Sequence, residues 1–167
     1  MTATCFEVGT EASAALQKMA EGGDIADLDA AVTGNAGVTS ANPAMGLLAA
    51  GMSVSEVMLD TGDNTHLSIV AMVLPTNDAF VGLDSWEIPT EAGTYTMYVN
   101  AYDAGTEVND EIINGGGMSG VPGIPAAPGG DGGANGTGVM DSSDNSNVHT
   151  HPGVLGDMQS CWWYGVT

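Results

Sequence analysis

Three carboxylates carry the most chemistry that this sequence offers. Asp78 closes the turn Pro75-Thr-Asn-Asp78, which follows the apolar run 69–74, and Asp103 and Glu107 bracket Ala104-Gly-Thr at the end of the alternating stretch 94–102. If both stretches are strands that end at the same edge of a sheet, the three side chains converge. Gly105 lets the loop between Asp103 and Glu107 turn tightly. Carboxylates a few ångströms apart repel unless a cation or protons intervene. Oxygen donors on loops, with turn carbonyls beside them, suit a hard ion, and their flexibility suits Ca²⁺ better than Mg²⁺. The same residues also read as solvated loop acids in a chain with 21 acids. Spacing alone does not separate the two readings.

A second constellation is His149-Thr-His151. Residues i and i+2 of a strand share a face, so both imidazoles could grip one ion such as Zn²⁺. The chain has 3 histidines, so a catalytic zinc would need carboxylates as further ligands, as in a metal-dependent hydrolase. Hydrogen-bonded structural histidines are the other reading. Other catalytic signatures are missing. The sequence holds no Gly-x-Ser-x-Gly elbow, no Gly-x-Gly-x-x-Gly opening a helix and no lysine-bearing phosphate loop. Asp141-Ser-Ser-Asp-Asn145 has the composition of a calcium loop without the Gly and terminal Glu of an EF-hand.

These residues need scaffolding. The run 69–74 reads as a strand buried on both faces and stopped by Pro75, which cannot donate to a ladder. The stretch 52–59 predicts a second strand, joined to 66–74 as a hairpin through the polar turn 60–64. Along 94–102, Tyr95, Met97, Val99 and Ala101 alternate with polar residues, which predicts one buried face. A short strand is predicted at 148–151. Near the start, Thr10 reads as an N-cap, with a helix over 12–20 ended by Gly22-Gly23 and with Leu16 and Met19 facing the core. Asp24 predicts the start of a second segment, 25–32, closed by Gly34. Residues 114–147 read as a long Gly-rich loop, and Trp162-Trp-Tyr164 would be a sticky patch unless it packs.

Composition sets the setting. The chain has 167 residues, enough for one domain, and Lys18 is its one basic side chain against 21 acids, a formal charge of −20. Nothing neutralises phosphates, so nucleic acid is excluded as a partner, as is membrane binding through a basic patch. Self-repulsion at this density calls for salt or cations, so a saline setting outside a cell fits best. No run reaches the length of a membrane span, and the start has neither the basic nor the apolar region of a signal peptide. Cys5 and Cys161 either pair or stay free.

Three segments together resemble one family. They are Leu74-Pro-Thr-Asn-Asp-Ala-Phe-Val-Gly-Leu83, then Tyr102-Asp-Ala-Gly-Thr-Glu-Val-Asn-Asp-Glu111, then Val148-His-Thr-His-Pro-Gly153, with Pro122-Gly-Ile-Pro125 between them. The chain resembles bacterial spondin-domain proteins over residues 6–156. The resemblance implies a mainly β fold: a C2-like antiparallel β-sandwich with one or two short N-terminal helices, as a single domain over 1–167. It implies a secreted or cell-surface protein without catalytic activity, used for adhesion or matrix interaction, whose partner is an extracellular protein or a glycan. It also implies that Asp78, Asp103 and Glu107 ligate calcium, with Glu at the last position where the family usually has Asp. Relative to the family, the chain is read as lacking the first and the final strand, and the tail 157–167 is atypical. Open sheet edges would follow, with self-association through them, and a structural surface or filament subunit is a further expectation.

Overall fold

A computed structural model describes residues 4–35, 48–49, 51–55, 57–73, 76–107 and 145–153. The expectations for the Gly-rich segment up to residue 144, for Cys161 and for the aromatic tail lie outside the described residues.

Helix α1 spans Ala14–Gly22 and helix α2 spans Ala26–Thr33. The cap of α1 is Ser13, whose Oγ accepts the Leu16 N–H at 3.1 Å. Thr10, the predicted cap, instead donates its hydroxyl to the Glu7 carbonyl at 2.9 Å in the turn before the helix. Both residue types cap well, and Ser13 lies closer to the apolar face that must be buried. At the other end Gly23 takes φ 69°, and its N–H reaches the Met19 carbonyl at 2.8 Å. That left-handed position suits glycine, so α1 stops where the sequence places Gly22-Gly23. Asp24 Oδ1 accepts the Ala26 N–H at 3.0 Å and helps start α2.

The strands are β1 (His66–Met72), β2 (Ala79–Glu87), β3 (Asn100–Asp103) and β4 (His149–Thr150). They form one antiparallel sheet in the order β1-β2-β3-β4. Three predictions need correction. β1 pairs with β2, none of the described residues of 52–59 lies in a strand, and Met58 in that stretch is 92% exposed. β1 is not buried on both faces either, since it edges the described sheet and Ile69 is 46% exposed. Of the alternating stretch 94–102 only the end enters the ladder, and Thr94–Asn100 are exposed. In each case apolar pattern chose a face, while pairing needs a partner strand in register. The described residues hold one sheet and two helices; the second sheet of a sandwich is not among them.

Helix α1 packs on β1 and β2, and α2 packs on α1. Leu16, Met19, Ala20 and Leu28 pack with Phe6, Phe80, Ala104 and Val148 into the core. Phe80 is its fully buried centre, in ring contact with Phe6 at 5.1 Å and Tyr102 at 5.6 Å. The segment before α1 is stitched to the approach of β4 by the Gly9 N–H to the Val148 carbonyl and the Val148 N–H to the Thr10 carbonyl. Gly82 leaves room for Phe6, because a Cβ there would lie 2.7 Å from the phenyl ring. Gly82→Ala should therefore displace Phe6 and cost about 1–3 kcal/mol of stability, as overpacking does. Urea unfolding would show it, and an unchanged midpoint would mean that Phe6 does not depend on this gap.

Candidate metal centre

Register brings the acids together. Ala79 at the start of β2 pairs with Asp103 at the end of β3, so Asp78 and Ala104 sit at the same corner of the sheet. The Ala104 N–H donates to the Asp78 carbonyl at 3.2 Å and ties the two turns. Asp78, Asp103 and Glu107 are 1%, 0% and 3% exposed. They are not solvated loop acids. Charged residues this deeply buried demand partners.

Much of that demand is met by backbone. Asp78 Oδ2 accepts from the Thr106 N–H at 2.7 Å, the Thr106 hydroxyl at 3.2 Å and the Glu107 N–H at 3.1 Å. Asp103 Oδ1 accepts the Gly105 N–H at 2.7 Å. Gly105, at φ 69°, makes this tight reversal feasible. Asp103 Oδ2 is different: it is buried and accepts no hydrogen bond among the described residues. The nearest base is His149, whose Nδ1 lies 3.8 Å from Asp103 Oδ1, too far for a hydrogen bond. That Nδ1 is 2.8 Å from the Asn147 carbonyl and so carries the ring proton.

His151 is held separately. Its Nδ1 accepts the Gly153 N–H at 3.0 Å. Both histidines thus use Nδ1 within their own turns, and β4 ends at Thr150, so His151 lies just past the strand rather than beside His149 on one strand face. Among the described residues, no three His, Cys, Asp or Glu side chains form a ready-made metal cage. Asp78, Asp103 and Glu107 are neighbours in one buried corner, with Asp78 Oδ2 turned to backbone donors.

Residues 1–110 match the family Spondin_N, two thirds of the 167-residue chain. The chain belongs to the spondin N-terminal domain family. No curated protein and no solved structure matches it. Spondin N-terminal domains are in general non-catalytic extracellular domains of the matrix and adhesion type. No helix among the described residues is long and apolar enough to cross a membrane. The matched part of this spondin domain contains Asp78, Asp103 and Glu107 and ends before His149 and His151.

The donor types of this corner of the spondin domain suit a hard cation, though the described residues form no assembled cage of three. Its donors are all oxygen, they are anionic, and one of them, Asp103 Oδ2, is buried without a hydrogen bond. Protons are the competing solution. Burial and then the charge of Asp103 push Asp78 up from 3.8 to about 6, against the pull of its bonds from Thr106 and Glu107. A carboxyl whose folded pKa is raised contributes stability below its unfolded pKa and loses it as pH rises through the folded value. In chelator, the contribution of Asp78 should therefore fade between about pH 4 and pH 6, by at most about 3 kcal/mol. Asp78→Asn should remove that part of the slope. Urea midpoints across this range test it, and a slope identical in both proteins would count against a raised Asp78.

Proposed function

We propose that this spondin domain is a non-enzymatic, calcium-binding extracellular module for adhesion or matrix contact, with an extracellular protein or a glycan as its partner. Asp78, Asp103 and Glu107 hold the ion. The observation that supports this most is Asp103 Oδ2, a buried anionic oxygen without a hydrogen bond, set in a corner with two more buried carboxylates. Leaving such a group unsatisfied costs several kcal/mol, and a hard cation offsets the charge of the whole cluster. The ion would join the turn before β2 to the loop after β3, and so brace the corner from which neighbouring loops project.

Isothermal titration of calcium into the protein tests the proposal. Saturable binding is expected near neutral pH, weakening below about pH 6 as protons reclaim Asp78. Asp103→Asn keeps the oxygen that accepts from Gly105 and removes the charge, so most of the heat should go. Binding that is insensitive both to pH and to this substitution would place the ion elsewhere.

A further inference from the structure

A separate recess opens further along the same strands, away from the carboxylate corner. It is a cavity of about 320 Å³, within the size range of small-ligand sites. Phe6, Tyr98 and Tyr102 give it aromatic surface, and Glu7, Asp84 and Asn100 give it oxygen. Gly82 lines it as well, opposite Asn100 in the sheet. The aromatic wall is braced: Phe6 and Tyr102 meet at 4.9 Å, and Tyr102 stacks on Phe80. Tyr98, at the rim, is 96% exposed.

Asp84 is held by a local distortion. The β1–β2 register shifts between Leu67 and Ile69, and Ser85 takes φ 51°, a left-handed value unusual for serine. Its N–H donates to Ser68 Oγ at 3.0 Å. The Ser68 and Ser85 hydroxyls in turn donate to Asp84 Oδ1 at 3.3 Å and Oδ2 at 3.1 Å. The strained serine and the bulge thus fix a carboxylate in the wall of the recess. Strain of this kind persists where surrounding contacts dictate it, and it gathers at ligand sites. The field of Asp84 is felt by Cys5, whose thiol is pushed up by burial and by this charge.

Two exposed carboxylates, Glu7 and Asp84, make the aromatic recess negative and so favour a positive partner. The chain's one lysine or arginine, Lys18, is paired instead with Asp27 on the helices. Aromatic faces are poor ligands for a hydrated metal ion but attract organic cations, by about 0.5–2 kcal/mol. A chain of formal charge −20 also draws cations to its surface. We propose that this recess binds an organic cation, a protonated amine or a guanidinium group, with Tyr98 and Tyr102 against its face and Glu7 and Asp84 balancing its charge. This site is independent of the metal centre, so it is tested with calcium saturating and constant.

The test is a titration followed by amide NMR at fixed ionic strength, using arginine amide, the tripeptide Gly-Arg-Gly and methyl glucoside. Saturable shifts around Gly82 and Asn100 are expected with the first two. Tyr98→Ala and Glu7→Gln alter exposed side chains, leave the core intact, and should each weaken binding at least about fivefold. A tighter tripeptide would show that flanking peptide adds contacts, and equal affinity would show that the arginine group alone suffices; either supports the site. Shifts reproduced by sodium chloride, shifts unchanged in both variants, or a response to the glucoside alone would overturn it.

Discussion

Saturating calcium is expected to raise the melting temperature of the protein by about 8–16 °C. At a free concentration about a thousandfold above Kd, a ligand that binds only the folded state adds about 4 kcal/mol, and each kcal/mol moves a chain of this size by about 2–4 °C. Asp103→Asn should remove most of the rise. It should also act with the opposite sign in chelator. There Asp103 is a like charge beside Asp78, and it raises the Asp78 pKa. Removing that charge relieves repulsion while keeping the oxygen that accepts from Gly105, so the variant should melt higher than wild type. A substitution that merely damaged packing would lower melting in both conditions. Scanning calorimetry of both proteins, with calcium and with chelator, separates these outcomes.

The second large effect is expected at Gly105. A Cβ there would lie 2.7 Å from the Ser146 carbonyl carbon, 2.8 Å from the Asn145 oxygen and 2.8 Å from the Asn147 nitrogen, all backbone atoms. The residue also sits at φ 69°. Gly105→Ala therefore combines a left-handed penalty of about 1 kcal/mol with overpacking of about 1–3 kcal/mol. The comparison is Gly62→Ala, at φ 53° with nothing near its Cβ, which carries the first penalty alone. Urea unfolding should show Gly105→Ala about 2–4 kcal/mol less stable than wild type and clearly worse than Gly62→Ala. Equal losses would mean that residues 145–147 can move away, and that they do not form a wall of the site.

Turn chemistry and strand ends made the candidate acids legible. Pro75-Thr-Asn-Asp78 and Asp103-Ala-Gly-Thr-Glu107 mark the ends of apolar stretches, and antiparallel register then places them at one corner. Their burial was not legible. It depends on the approach of residues 145–147 to Gly105, a contact between segments 40 positions apart in sequence. Strand β2 was hidden for a related reason. Phe80-Val-Gly-Leu83 followed by Asp84 and Ser85 lacks a clean alternation, because Gly82 answers to the distant Phe6 and Ser85 answers to Ser68. The strongest alternation, 94–102, shows the reverse. Tyr95, Met97 and Val99 specify a face, yet they pair with no strand among the described residues and remain 36–50% exposed. Helix ends were read more closely, since caps are local, and even there Ser13 displaced Thr10.

The most direct test of the shared-ion corner is equilibrium dialysis against calcium in about 150 mM salt, with the metal bound per chain counted by elemental analysis. Wild-type protein should retain a single calcium, and the chain carrying both Asp78→Asn and Asp103→Asn should retain none. No retained calcium in the wild type, or equal retention by the two proteins, would contradict it.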